Sequence, residues 1–478
     1  MIGRKKQIEE LENLYNSKKS ELIAVYGRRR VGKTYLIDKT FETRLTFRHT
    51  GLSPLENIDE KAKLQSQLNH FVHSLNFFGY KDFKKPKTWL EAFYLLEDYL
   101  LTRIKEKRLV VFLDELPWLD TPKSGFMTAF EAFWNGFACH YDNIMVIVCG
   151  SSSSWIINKL INNHGGLYAR LTYEMKLTPF DINECEQYFI LNDVKLSRYD
   201  IAQCYMILGG IPYYLNYIKK GMTLPQAIDR MFFLKEANLK DEFDRLFSAT
   251  FNNPEEIKRI IRLLNSKKIG LTRNEILEGL NVSDGGTFNE YLKSLIESDF
   301  IIKYVPYLEN KRKVYYKLVD PFCLFYLRFV ENKNSLYNNF WQENIDNQSV
   351  IIWRGLAFEN LCFNHISKIK ELLGISGVKT NQSLWYKKGN DNEKGFQIDL
   401  MIERNDNVLS VCEAKFYKNS YTLNKDYYLH LLDRDEQLTN IISKKISIHN
   451  VLITTFGLKN NEYSNYFDKV IVLDDLFK

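Results

Sequence analysis

Residues 27–34 read Gly27-Arg28-Arg29-Arg30-Val31-Gly32-Lys33-Thr34, a glycine, four residues, then Gly-Lys-Thr. The apolar, β-prone run at residues 21–26 precedes it. Tyr35-Leu36-Ile37-Asp38-Lys39, which can begin a helix, follows it. That strand–loop–helix context is what this phosphate-binding motif requires. Gly27 and Gly32 let the backbone curl until its amides face a phosphate, and the start of the helix adds its positive end. Lys33 would reach the β- and γ-phosphates, and the Thr34 hydroxyl would hold Mg²⁺. All eight residues of the loop are thus the expected cradle of a nucleotide.

A second checkpoint lies about eighty residues on, where the apolar run 109–113 ends in Asp114 and Glu115. In P-loop enzymes the first such carboxylate supports Mg²⁺, and a neighbouring one can take a proton from the attacking water. Asp114 is the expected metal acid and Glu115 the expected base. A third apolar run, 144–149, leads into Gly150 and four serines from Ser151. Polar residues at the carboxyl end of such a strand lie where ligands bind in open α/β sheets. Ser151 therefore either touches the γ-phosphate or its water, or belongs to a turn that caps the helix begun at Trp155.

The chain has 478 residues, 45% of them apolar and 26% charged, with a formal charge of +6. That length calls for two or three globular domains. The charge permits a polyanionic partner without demanding one. No apolar run is long enough to span a bilayer, and the start of the chain lacks a secretory core. The seven cysteines form no close-spaced pair, which fits reduced thiols. A cytoplasmic protein without membrane association is the expectation.

Four stretches together resemble the AAA+ ATPases of bacteria and archaea that carry a C-terminal domain of restriction-endonuclease type. They are the opening Ile2-Gly3-Arg4 with Ile8-Glu9-Glu10-Leu11, the two checkpoints above, and Gly209-Gly210-Ile211-Pro212-Tyr213-Tyr214-Leu215. The resemblance covers essentially the whole chain. It implies that Gly3 and Arg4 lie near the adenine of ATP. It also implies that Arg170, in Tyr168-Ala169-Arg170-Leu171-Thr172, sits near a nucleotide, in some such ATPases that of a neighbouring subunit. An arginine there would stabilise charge on the transferring phosphoryl group; the other reading is an ordinary surface arginine.

Residues 181–250 read as helical, with Gly209, Gly210 and Pro212 ending one helix and redirecting the chain. They would form a lid over the nucleotide, or serve only for packing. Residues 255–264, 271–280 and 287–297 read as three short helices, the second with Thr272 and Glu275 at capping-box spacing. Residues 300–305 and 313–319 alternate as a hairpin with Lys311, Arg312 and Lys313 at its turn. Three helices and a basic hairpin resemble a winged helix. This either contacts DNA, chiefly through the wing, or docks a protein.

Near the end, Asp399 lies in Gln397-Ile398-Asp399-Leu400, and fourteen residues on come Glu413 and Lys415 in Val411-Cys412-Glu413-Ala414-Lys415. On two paired strands both acids can meet a divalent ion, with Lys415 on the same side. Such an ion can activate water and stabilise a leaving oxygen. The pattern resembles the PD-(D/E)xK nuclease motif, and Glu359 in Ala357-Phe358-Glu359 matches its early acid. Gln397-Ile398 departs from the motif's proline. The other reading is a salt-bridged pair on a sheet that only binds a partner.

The expected fold is α/β: a P-loop AAA+ core (1–180), a helical lid (181–250), a winged-helix-like module (251–320) and a nuclease-like α/β domain (321–478). The expected function is Mg²⁺-dependent ATP hydrolysis coupled to DNA binding or processing. A second Mg²⁺ or Mn²⁺ would serve cleavage at Asp399, Glu413, Lys415 and Glu359. The rival is an ATP-controlled switch that binds DNA or protein without cutting, and a Lys415 locked in an ion pair would favour it. Arg170, acting across an interface, would imply a homo-oligomer.

Overall fold

The computed structural model describes residues 2–53, 59–81, 84–162, 165–310, 312–331, 339–387 and 395–478, excluding the side chains of Tyr386, Lys387 and Asp399. The chain divides into two compact units, Met1–Pro179 and Phe180–Lys478.

In the first unit, β1 (Glu21–Tyr26), β2 (Leu45–Thr50), β3 (Leu109–Asp114), β4 (Ile144–Gly150) and β5 (Tyr173–Lys176) form a parallel sheet ordered β2-β3-β4-β1-β5. The runs β1, β3 and β4 are apolar because almost every residue in them is buried. Helices α1 (Lys5–Tyr15) and α2 (Lys33–Phe41) flank β1 in sequence. One sheet face packs on α3 (Glu60–Phe77), α4 (Trp89–Thr102) and α5 (Phe126–Gly136), whose Phe71, Trp89, Phe93, Phe126 and Phe133 fill the core. Strands β2 and β5 were not legible beforehand. Both are sheet edges whose residues alternate between buried and partly exposed, so neither carries an unbroken apolar run.

The second unit begins with helices. Asp181 and Glu184 form a capping box at the start of α6 (Ile182–Leu191), and α7 (Arg198–Leu208) is buried from Ile201 onward. His365 fixes α6 from a distant part of the chain: its Nε2 accepts from the Ile182 amide at 3.0 Å, while Nδ1 donates to the Leu361 carbonyl. Burial holds this imidazole neutral by lowering its pKa.

Next come α8 (Pro254–Asn265), β6 (Leu271–Thr272), α9 (Arg273–Leu280), α10 (Gly286–Glu297), β7 (Ile301–Tyr304) and β8 (Tyr315–Leu318). Thr272 and Glu275 make the capping box that their spacing predicts. The three strands pair antiparallel in the order β6-β8-β7.

Helix α11 (Pro321–Phe329) is capped by Asp320 and packs Phe325 and Phe329 edge-on against Trp341 and Trp353. After α12 (Gln348–Asn364) come β9 (Thr380–Lys387), β10 (Phe396–Arg404) and β11 (Val408–Lys415), which pair antiparallel. Helix α13 (Lys425–Ile441) then crosses over to β12 (Ser447–Thr454) and β13 (Lys469–Val472), both parallel to β11. Among the described residues no helix is long and apolar enough to cross a membrane.

The turn after α7 depends on glycine. Gly210 has φ +67°, and a Cβ there would lie 2.1 Å from the Phe180 carbonyl oxygen. Gly221 has φ +82° with open space around it. Gly221→Ala should therefore lose only the left-handed backbone cost, about 1–2 kcal/mol. Gly210→Ala should lose clearly more, because the backbone must also move. Urea denaturation followed by far-ultraviolet circular dichroism measures both, and equal losses would remove the carbonyl contact from the account.

Candidate functional site

The loop between β1 and α2 closes against its own unit. Gly27 has φ +140°, and a Cβ on it would meet the Leu177 carbonyl oxygen at 2.2 Å. No other residue type fits that approach. Arg4, almost fully buried, reaches the loop from the N-terminal segment; its Nη2 donates to Val31 O at 3.3 Å and Thr178 O at 2.8 Å. Arg4 thus braces the loop backbone, and Gly3 stands beside it with φ +60°. Arg30 is also left-handed, at φ +70°. Lys33 is buried, with Nζ donating to the carbonyls of Gly27 (2.9 Å) and Arg28 (3.0 Å). These are neutral acceptors that a phosphate oxygen can outbid.

The carboxyl ends of β3 and β4 supply the acids. Thr34 Oγ1 donates to Asp114 Oδ2 at 2.9 Å, joining residues eighty positions apart. Burial, then the neighbouring Glu115 charge, push the Asp114 pKa up. A buried carboxylate under that strain, beside a hydroxyl, suits a divalent cation. Thr34 and Asp114 are therefore the residues that would hold Mg²⁺.

Glu115 is left-handed (φ 47°, ψ 49°), a conformation that costs a non-glycine residue about 1–3 kcal/mol and clusters at functional sites. Ser151 holds its carboxylate: the Ser151 amide donates to Glu115 Oε2 at 3.1 Å and the hydroxyl does so at 2.9 Å. Ser151 thus meets the residue expected to act on the water, a contact that the two sequence readings of it do not specify. The serine is spent on Glu115, and the helix Ser153–Ile156 starts without a side-chain cap from Ser152.

Trp118 was missed in the sequence. Its amide donates to Glu115 O at 2.9 Å, Gln67 Nε2 donates to its carbonyl at 2.9 Å, and the Arg29 guanidinium carbon lies 5.9 Å from its ring centroid. Arg170 is exposed in a turn after left-handed Ala169.

A second cluster lies on the C-terminal sheet. Leu400 of β10 pairs with Cys412 of β11, the residue before Glu413, so Asp399 and Glu413 lie on neighbouring strands. The Asp399 side chain lies outside the described residues. Lys415 Nζ is 2.7 Å from Glu413 Oε1 and donates to Tyr427 OH at 3.0 Å, and Tyr427 OH donates to the same Glu413 oxygen. Arg434, buried on α13, donates from Nη1 to Glu413 Oε2 at 3.0 Å.

Burial raises the Glu413 pKa, but Lys415 and Arg434 outweigh it and hold the group at about 2. Lys415 is in turn pushed down by burial and, more strongly, up by Glu413 and Tyr427. Glu359 sits 2.8 Å from Lys268, a lysine between α8 and β6. Each described carboxylate of the expected metal set is thus paired with a side-chain cation. Among the described residues no group of three or more His, Cys, Asp or Glu side chains could hold a metal ion. Arg434 had a sequence signal that went unread: it shares the buried stripe of α13 with Leu431 and Leu438, and a cation on such a stripe needs a buried partner.

Comparison with known proteins adds the following. Residues 1–218 match the family of ATPase domains found predominantly in Archaea. An uncharacterized protein of Methanocaldococcus jannaschii is 25% identical over 463 residues, 93% of this chain and 96% of that protein. An uncharacterized ATP-binding protein of the same organism is 51% identical over 43 residues, 9% of this chain and 73% of its own length. The Walker-type ATPase of Pyrococcus abyssi, a solved structure, covers 69% of this chain and 96% of its own at 19% identity and a TM-score of 0.46.

Two measurements follow from the electrostatics. The raised pKa of Asp114 means that its ionisation costs stability, a cost absent below the unfolded carboxylate pKa and growing as pH rises through the folded value. Asp114→Asn should therefore melt no lower than the wild type at neutral pH while losing ATP turnover; a large fall in Tm would contradict this. Glu413 has the opposite sign. The stability gap between wild type and Glu413→Gln should be full above about pH 4.5 and shrink as pH falls toward about 2. Urea titrations at several pH values would show whether it does.

Proposed function

We propose, with the ATPase domain over residues 1–218 as premise, that this chain hydrolyses ATP with Mg²⁺ in its first unit and thereby controls DNA binding by its second. The observation that carries the hydrolysis is the junction of loop and sheet, Thr34 on Asp114 beside a Glu115 oriented by Ser151. Lys33 would leave the Gly27 and Arg28 carbonyls for the β- and γ-phosphates. Thr34 and Asp114 would hold Mg²⁺, which when bound neutralises charge on those phosphates. Glu115 would take the proton of the attacking water. Gly3 and Arg4 would act by bracing the loop near the base, and Arg170 would serve a neighbouring copy.

The DNA-binding half rests on the order α8-β6-α9-α10-β7-β8 with its antiparallel hairpin, which supports reading this module as winged-helix-like. Asn289, Glu290 and Lys293 are exposed on α10, and Arg312 and Lys313 are exposed at the wing. Lys311 lies outside the described residues. Lys313 pairs with Glu309, so Arg312 is the better candidate for a phosphate contact. The order α12-β9-β10-β11-α13-β12 is the ground on which we read the C-terminal domain as PD-(D/E)xK-like. With Lys415 and Arg434 on Glu413, and Lys268 on Glu359, that plan favours a domain that binds without cutting. Metal-dependent cleavage is the second reading, supported by the placement of Asp399, Glu413 and Lys415 on neighbouring strands.

One experiment separates them. ATP turnover and strand cleavage are measured together, with Mg²⁺ or Mn²⁺ and single- or double-stranded DNA, for the wild type, Lys33→Ala and Asp399→Ala. Turnover should respond to DNA, vanish in Lys33→Ala and leave the DNA intact throughout. Normal turnover by Lys33→Ala would refute the loop assignment. Cleavage that disappears in Asp399→Ala would establish the second reading.

A further inference from the structure

We infer that Arg29 is a further catalytic residue, whose guanidinium meets the γ-phosphate of bound ATP and supplies positive charge to the phosphoryl group from within the same chain. The inference rests on ATP hydrolysis at this loop and assigns a role that the motif pattern does not specify. Arg29 occupies one of the four variable positions between Gly27 and Gly32. Its side chain extends from the loop to the carboxyl end of β3, where the guanidinium carbon lies 5.9 Å from the Trp118 ring centroid.

Trp118 is a fixed platform. Its amide is bonded to Glu115 O, and its carbonyl to Gln67. Gln67 is buried and also bonds both backbone groups of Leu52, at 2.9 and 3.0 Å. The Arg29 head group is therefore held between the phosphate loop and the Glu115 segment. A nucleotide held by Lys33, Thr34 and Asp114 would bring its terminal phosphate to the carboxyl end of β3, the end to which Trp118 is tied through Glu115.

Arg29 is also short of an acceptor. Its Nη1 is buried and has no hydrogen-bond partner, and among the described residues no carboxylate pairs with it. Arg28 Nε and Arg30 Nη1 are likewise buried without a hydrogen-bond partner, which makes the whole loop rich in donors awaiting an anion. A buried guanidinium N–H without an acceptor is costly, and a phosphate oxygen would relieve that cost. The planar fork of arginine matches a phosphate face, and stacking on an indole leaves its in-plane N–H groups free to point outward.

In the step itself the water oxygen bonds to the γ-phosphorus and its proton passes to Glu115. The bond to the β–γ bridging oxygen breaks, and that oxygen leaves with its electron pair on ADP. Arg29 gives up no atom; it stabilises charge on the γ-oxygens as that bond loosens.

The test uses the full chain as wild type, Arg29→Ala, Arg29→Lys and Trp118→Ala, with kcat and KM for ATP and Kd for ADP. Removing one preorganised donor should lower kcat in Arg29→Ala by about 10²–10³-fold, with ADP affinity little changed. Arg29→Lys should recover part of the loss. Trp118→Ala, which keeps the arginine but frees its head, should fall between wild type and Arg29→Ala. Added guanidinium ion at low millimolar concentration should raise kcat of Arg29→Ala alone. An unchanged kcat in Arg29→Ala would overturn the inference, as would a fall in ADP affinity that matches the loss of kcat. A wild type that does not hydrolyse ATP would instead overturn the reading of the loop.

Discussion

The contact that decides most of the first unit is the approach of the Gly27 backbone to the Leu177 carbonyl, too close for any Cβ. It anchors the start of the phosphate loop to the segment after β5, just as Arg4 anchors its middle. With the loop pinned on two sides, α2 must start at Lys33, and Thr34 falls beside Asp114 across the sheet. Parallel order does the rest, since β1, β3 and β4 are adjacent and all end on the same edge. A loop that must present amides to an anion cannot also satisfy them internally, so its rigidity has to come from these outside contacts.

Local chemistry was readable in the sequence; chemistry assembled by packing was not. The loop and the Asp114–Glu115 pair each announce themselves within a few residues, because a glycine turn and a strand end are local facts. The cap formed by Thr272 and Glu275 is equally local. Strands β2 and β5 escaped because an edge strand needs no long apolar run. Ser151 was placed at the correct edge of the sheet, yet its partner Glu115 comes from another strand and could not be read from spacing. Trp118 and Gln67 act through contacts between segments fifty-one residues apart.

The C-terminal sheet shows how far a motif can be present while its electrostatics point elsewhere. Glu413 and Lys415 lie on one strand, and Arg434 and Tyr427 from α13 complete a closed set of partners around the carboxylate. Buried pairs of this kind are costly to break from one side, because the remaining charge is left without a partner. A cation arriving at Glu413 must displace two others already there. In the first unit Asp114 is in the reverse situation, a carboxylate surrounded by a hydroxyl and a second acid, with no cation beside it among the described contacts. The two carboxylates thus differ in the charge around them, cations at Glu413 and a second acid at Asp114.

His365 gives the second unit a different kind of unity. Its ring nitrogen accepts the first amide of α6, so a helix near residue 182 is finished by a side chain that follows α12. Recombination that exchanged the C-terminal domain for a homologue lacking this imidazole would leave a buried donor without a partner at the root of α6. The second unit is therefore expected to be inherited and lost as one block, its segments diverging together rather than being traded as separate cassettes.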